Sequence, residues 1–194
     1  MPWRFSSSVS RWTRRVANNT QRHHGLEAPS AWVTRWAALI ARGPVLDVAC
    51  GAGRHAVLFA NKALEVVAVD RDPQQIPGVR FVQADLENGR WPFADERFAA
   101  IVVTNYLHRP LFAQLEAALA EEGLLIYETF MVGNEKYGKP SNPAFLLEPG
   151  ELLQAFRGLT PIAFEQGYVE TPKPAVIQRL CARRGHIGRA RIAG

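Results

Sequence analysis

The segment Val45-Leu46-Asp47-Val48-Ala49-Cys50-Gly51-Ala52-Gly53-Arg54-His55 runs from an apolar stretch into a glycine turn and on into a helical stretch. A buried strand that delivers the chain to such a turn leaves the next helix with unpaired backbone N–H groups facing a ligand. Gly51 and Gly53 allow sharp turning and close approach, because neither carries a Cβ. As a bare pattern, Gly51, Gly53 and Ala56 satisfy GxGxxG/A, which dinucleotide enzymes share.

Working outward, short apolar β-branched runs alternate with helical stretches, the pattern of an α/β chain with a parallel sheet between helices. Strands are expected near 45–49, 65–69, 79–83, 98–104 and 123–129. A helix is expected from Gly53 to Lys62 and another from Pro110 to Glu121, with Pro110 in its first turn and Gly123 just past its end. Upstream, Trp32, Val33, Trp36, Ala37 and Ile40 recur at helical spacing until Gly43-Pro44. Between Asp70 and Val79 there is room for a single turn at most. Downstream, Pro149 to Arg157 reads as a helix, and Pro161–Val169 with Ala175–Ala182 reads as a hairpin.

Asp70 ends the apolar strand Val66-Val67-Ala68-Val69, seventeen residues after Gly53. A carboxylate at that place accepts from both hydroxyls of a ribose, and equally serves as an ordinary turn residue. A third acid, Asp85, ends Val79-Arg80-Phe81-Val82-Gln83-Ala84.

From Val45 to Gly53 the chain resembles motif I of the class I S-adenosylmethionine-dependent methyltransferases, (V/L)LDxGCGxG, with Ala49 where the family often has Gly. The resemblance covers about residues 31–182 and implies a Rossmann-like, doubly wound, mostly parallel sheet with a C-terminal antiparallel hairpin and helices on both faces. It implies S-adenosylmethionine as cofactor and S-adenosylhomocysteine as product. Asp47 then answers the ammonium of the cofactor's amino acid end, where a pyrophosphate would be repelled; the alternative is that Asp47 caps the turn. The resemblance also implies that Asp85 accepts from the adenine amino group and that the Leu86 N–H meets a ring nitrogen. Ala49, Gly51, Gly53, Arg54, Asp70, Arg71 and Asn105 complete the expected cofactor set, with Asp72 and Ile76 beside the adenine.

Reacting groups in such a sheet lie beyond the carboxyl ends of the strands, which nominates Asn105, Tyr106, His108, Glu128 and Thr129. His108 is the candidate base and Glu128 the candidate binder of a cationic or hydroxyl-bearing acceptor. The plainer alternatives are a helix cap for His108 and a backbone hydrogen bond for Glu128. Asn105-Tyr106-Leu107 does not read as the NPPY or DPPY of methyltransferases acting on base or amide nitrogens. The long stretch from Phe130 to Glu148 is expected to fold over the acceptor, with Tyr106, Tyr137, Asn142 and Phe145 as contacts. Cys50 and Cys181 read as small buried hydrophobes, and no metal site is expected because His55, His23 and His24 lack spaced partners.

The chain has 194 residues, 47% hydrophobic and 21% charged, enough for one domain with a sizeable core. With no disulfide framework and no apolar run of membrane length, a soluble, cytoplasmic protein is expected. The net charge is +5, yet residues 1–25 hold five arginines and residues 183–194 hold four, with no acid in either. Setting those nine aside leaves a formal −4 for residues 26–182. The expected organisation is a basic arm over 1–25, a catalytic domain over 26–182 and a basic tail over 183–194. The acceptor is expected to be a small molecule, including the variant of an oxyanion or soft atom as in tellurite-resistance-like enzymes. The alternatives are an RNA or protein acceptor engaged through the basic arms, and a non-catalytic cofactor-binding module; a monomer or weak dimer is expected.

Overall fold

The structure is a computed structural model, which describes residues 27–185. Seven strands form one sheet in the order β3-β2-β1-β4-β5-β7-β6. The strands are β1 (Val45–Val48), β2 (Val66–Asp70), β3 (Arg80–Gln83), β4 (Phe98–Thr104), β5 (Leu119–Phe130), β6 (Thr160–Val169) and β7 (Ala175–Arg183). The first five are parallel, and β7 runs antiparallel between β5 and β6. The expected sheet and its terminal hairpin are therefore present, and the order in which strands are added reverses between β1 and β4, where α/β sheets bind ligands.

Side-chain alternation along the strands divides the core in two. Val45, Val66, Ala68, Ala100, Val102, Leu124 and Ile126 pack with Trp32, Trp36, Ala56 and Phe59, which come from α1 (Ala31–Trp36) and α2 (Arg54–Ala60). Leu46, Val67, Val69, Ile101, Val103, Leu125 and Tyr127 pack on the other face with Leu115, Ala118 and Leu152 from α3 (Phe112–Ala118) and α4 (Glu151–Ala155). Ser30 starts α1 by accepting from the Trp32 N–H at 3.1 Å. No helix joins β2 to β3 or β3 to β4. In the second gap Phe93 is buried edge-on to Phe98 at 5.5 Å, so an aromatic cluster covers what a helix would cover elsewhere.

Two expectations need correction. The helix expected to run to Glu121 ends at Ala118, because Leu119 already pairs with Phe98 and β5 begins there. Gly123 lies inside the strand, beside a bulge, where a Cβ would stand 2.8 Å from the Ala120 carbonyl and 3.0 Å from that of Phe98. The tail expected from residue 183 also starts too early: β7 runs through Arg183, which pairs with Glu122 at 3.1 Å. Arg184 donates to the carbonyls of Glu116, Ala117 and Leu119, the open end of α3. Moving these two arginines into the domain changes its formal charge to −2. The arm over residues 1–25 lies outside the described residues. Among the described residues, no helix is long and apolar enough to cross a membrane.

Candidate active site

Ala49, Gly51 and Gly53 all have left-handed backbone, with φ of 51°, 52° and 82°. At Gly53 a Cβ would stand 2.4 Å from Ile76 Cδ1, so only glycine fits between the turn and the segment after β2. Ala49 holds this conformation in spite of its Cβ, at a cost of about 1 kcal/mol. Asn105, at the end of β4, is also left-handed, and asparagine tolerates that region better. Two of the four left-handed non-glycine residues among the described ones, Ala49 and Asn105, thus sit at the strand ends beside the switch in topology.

Asp47 is 1% exposed. Its Oδ2 accepts from the Ala56 N–H in the first turn of α2 at 2.9 Å, and its Oδ1 is buried without a partner. One oxygen thus caps the helix, and the other has no donor among the described residues. Burial raises the carboxyl to about 7 and the charge of Asp70 adds to this, against the Ala56 hydrogen bond and Arg54. A buried carboxylate oxygen lacking a donor is what a ligand ammonium would complete, so the residues fit the expected cofactor.

A cavity of about 250 Å³ opens beside the turn, lined by Ala49, Asp70, Arg71, Ala84, Asp85, Leu86, Glu87 and Tyr106. Five of the residues expected at the cofactor meet here. Asp70 accepts from the Gly51 N–H at 2.8 Å through Oδ2 and from the Asp72 N–H at 3.0 Å through Oδ1. Each oxygen keeps a lone pair, so the carboxylate is oriented without being exhausted. Asp85 accepts from the Glu87 N–H at 2.9 Å and from Asn88 Nδ2 at 3.0 Å, and these bonds hold its carboxyl below the usual range. Ala84 and Glu87 were not anticipated; their adjacency to Asp85 and Leu86 was the available signal.

Four residues, Tyr106, Asp72, Ile76 and Arg54, sit elsewhere than expected. Tyr106 lines this cavity with Asp70 and Asp85, not a separate acceptor site; burial is the main reason its phenol is raised above the ordinary value. Ile76 is buried against Gly53, and neither it nor Asp72 lines the cavity. Arg54 is turned toward the chain entering α1, where it meets Glu27 Oε2 at 3.0 Å and the Ala28 carbonyl at 3.4 Å.

At the carboxyl ends of β4 and β5, Glu128 is buried and accepts from Arg179 Nε at 2.5 Å. This replaces the backbone bond suggested for it and makes it the partner of a cation already present. Arg179 also reaches Glu165 at 3.2 Å and lies 5.8 Å from the Trp32 ring. Thr129 is buried in β5. His108 precedes a 3-10 turn over Arg109–Leu111, but its side chain makes no capping hydrogen bond.

The segment from Phe130 to Glu148 is fastened at several points. Met131 and Leu147 bridge its ends, and Asn134, 2% exposed, donates to the Pro140 carbonyl and accepts from the Val176 N–H. Arg109 grips Glu151 through both carboxylate oxygens, at 2.6 and 2.9 Å, and donates to the carbonyls of Ala144 and Leu146. Tyr137 packs on Tyr168 of β6, with ring centroids 5.0 Å apart. Asn142 caps the turn at Pro143–Phe145 through the Ala144 N–H, and Asn142 and Phe145 line a second groove of about 440 Å³. None of Tyr137, Asn142 and Phe145 lines the cavity beside the glycine turn.

Sequence reasoning missed the part played by His55. It is buried, its Nε2 accepts from the Ser30 N–H at 3.1 Å, and its Nδ1 lies 3.4 Å from Thr104 Oγ1. Burial, assisted by Arg54, lowers it to about 4, so a neutral ring ties the start of α1 to the end of β4. Burial pushes both the Cys50 and the Cys181 thiols up to about 12. Neither is an activated nucleophile.

The family described as "Methyltransferase domain" matches residues 45–123. No curated protein matches the chain in sequence. Among solved structures, TehB from Haemophilus influenzae superposes with a TM-score of 0.67 at 15% identity, over 84% of this chain and 64% of that one. The chain thus spans less than two thirds of that protein's length. A TehB-like SAM-dependent methyltransferase from Corynebacterium glutamicum gives 0.58 at 20% identity, over 79% and 87%. The 1,6-didemethyltoxoflavin-N1-methyltransferase of Burkholderia thailandensis, solved with 1,6-didemethyltoxoflavin and S-adenosylhomocysteine, gives 0.57 at 22% identity, over 80% and 76%. These likenesses establish the fold.

Proposed function

We propose that this chain, whose residues 45–123 match the methyltransferase-domain family, transfers the methyl group of S-adenosylmethionine to an acceptor at the carboxyl edge of its sheet. The observation that carries the reading is Asp47 Oδ1, buried without a donor beside the glycine turn. When bound, the cofactor supplies a methyl group on a sulfonium, already attached to a good leaving group, so the protein mainly contributes alignment and exclusion of water. Asp47 holds the ammonium of the amino acid end. Asp70 orients the ribose hydroxyls, Asp85 and the Leu86 N–H receive the adenine, and Tyr106 closes that side of the cavity. Glu128, neutralised by Arg179, shapes the acceptor side and does not supply a free charge there.

A small molecule is the first reading for the acceptor, supported by the Burkholderia enzyme, which acts on one. A chain-like acceptor is the second, favoured by exposed aromatic rings on the same edge of the sheet. Calorimetric titration of the full chain with S-adenosylhomocysteine and NADH tests the cofactor. Micromolar binding of the first, weakened at least tenfold in Asp70→Ala, and none of the second, is expected; NADH binding in place of the sulfur ligand would overturn the proposal.

A further inference from the structure

Among the described residues the large hydrophobic side chains left exposed are Tyr137, Phe145 and Tyr168, at 48%, 44% and 50%. All three stand at the carboxyl edge of the parallel strands. Tyr168 pairs with Val176 just beyond the level at which Phe130 ends β5, and Tyr137 packs against Tyr168 with the ring planes tilted by 39°. The surface is built and not incidental. Asn134 is buried beneath it and fastens the turn at Pro140 to the hairpin at Val176, so Tyr137 is held against β6. Beyond Tyr137 the same segment forms the groove lined by Lys139, Pro140, Ser141, Asn142 and Phe145.

Charge narrows the occupant. Lys136 and Lys139 flank Tyr137, and Lys173 shares with Glu170 the turn that follows Tyr168; none of the three lysines forms an ion pair among the described residues, and they outnumber the acid. Glu135, the acid between Gly133 and Lys136, is engaged with the Gly133 N–H. Residues 1–26, with five arginines and no acid before Gly25, join the described domain at Glu27, which Arg54 holds at the start of α2 on this same edge. Distance narrows it further. In the order β4-β5-β7-β6, three strand spacings, roughly 14 Å, separate β6 from β4. A small molecule on Tyr168 cannot also reach the strand ends where transfer occurs, whereas an extended chain can.

We propose that Tyr137 and Tyr168, with Lys136, Lys139 and Lys173, form a docking surface for single-stranded RNA that stacks bases on the two rings and leads the strand toward the cofactor cavity. The inference rests on the methyl-transfer reading for its purpose but not for its chemistry: aromatic rings accept any base, and free ammonium groups accept the backbone.

The test is fluorescence anisotropy of the full chain with a labelled single-stranded oligonucleotide of about twelve nucleotides and with the matching duplex, across a salt series. Single-strand binding is expected to exceed duplex binding. Tyr137→Ala with Tyr168→Ala should weaken it at least tenfold with the salt slope kept, since stacking is worth about 1–3 kcal/mol per base. Tyr137→Phe with Tyr168→Phe should retain affinity. Changing the three lysines to Gln should lower the logarithmic salt slope by about 2. Unchanged affinity in the double alanine variant, equal affinity for duplex, or no binding at all would each overturn the proposal. Titration of the same variants with S-adenosylhomocysteine controls for folding and separates the two readings. A chain that binds RNA through its tyrosines but not the sulfur ligand sinks methyl transfer alone; the reverse result sinks the docking surface alone.

Discussion

Asp47 gives one carboxylate oxygen to the Ala56 N–H and leaves the other bare, so its proton and a ligand's ammonium compete for one place. With the carboxyl at about 7, affinity for S-adenosylhomocysteine should rise with pH by up to tenfold per unit below pH 7 and level off above it. Calorimetry across that range checks this, and Asp47→Asn should bind weakly with a flat profile. Folding stability has the opposite sign at this residue. Between about 4 and about 7 the folded carboxyl keeps a proton that the unfolded chain has lost, so its contribution falls as pH rises. His55 works the other way: the unfolded chain binds a proton between about 4 and 6.5 that the fold refuses, so stability rises with pH across that window. In Asp47→Asn the histidine is uncovered, and urea denaturation should give stability climbing by about 2–3 kcal/mol from pH 4 to pH 6.5; a flat profile would mean that His55 is charged within the fold. Ala49→Gly should relieve the left-handed turn and raise stability by roughly 0.5–1 kcal/mol, a gain of about 2–3 °C in Tm. The placement of Asp47, Asp70 and Asp85 was legible because each lies at or next to the carboxyl end of a strand. The place of Tyr106 was not, since it depends on a left-handed turn at Asn105 that the residue types permit but do not demand.

At the scale of elements, the strands were legible from their apolar β-branched runs and the helices only in outline. Leu119 shows why. It follows a helical pattern, yet pairing with Phe98 draws it into β5, an interaction between residues that a local pattern does not contain. The segment after β5 was recognised as unusual by its length, but its fastening was invisible because Arg109 and Glu151 lie 42 residues apart. That strut should make Arg109 the key to local order. Arg109→Ala is expected to speed amide exchange at least tenfold in residues 143–151 while β1 and β4 stay protected, as measured by hydrogen–deuterium exchange. Arg109→Lys should rescue it only partly, because an ammonium cannot span two carboxylate oxygens and two carbonyls. Unchanged exchange in Arg109→Ala would show the segment to be held by Asn134 and the Met131–Leu147 bridge alone.

For the molecule as a whole, the +5 net charge describes the ends of the chain, not the domain, which remains slightly acidic with Arg183 and Arg184 included. Removing residues 1–25 should therefore lower the salt needed to elute the protein from heparin while leaving affinity for S-adenosylhomocysteine within about twofold; a large loss of that affinity would place the arm at the cofactor instead. The strand order has a further consequence, in time. β5 finds its partner on one side in β4, but its other side is covered by β7, the last strand to be made, and β6 can join only through β7. Until β7 has been made, residues 124–130 of β5, which pair with it, stand with an open edge. Completion of the sheet thus waits on its last strand, and the burial of Arg179 against Glu128 makes it selective for register. A hairpin that slipped by one residue would turn the guanidinium to the other face of the sheet and leave Glu128 buried alone, so that the nascent chain would release a misaligned strand and try again.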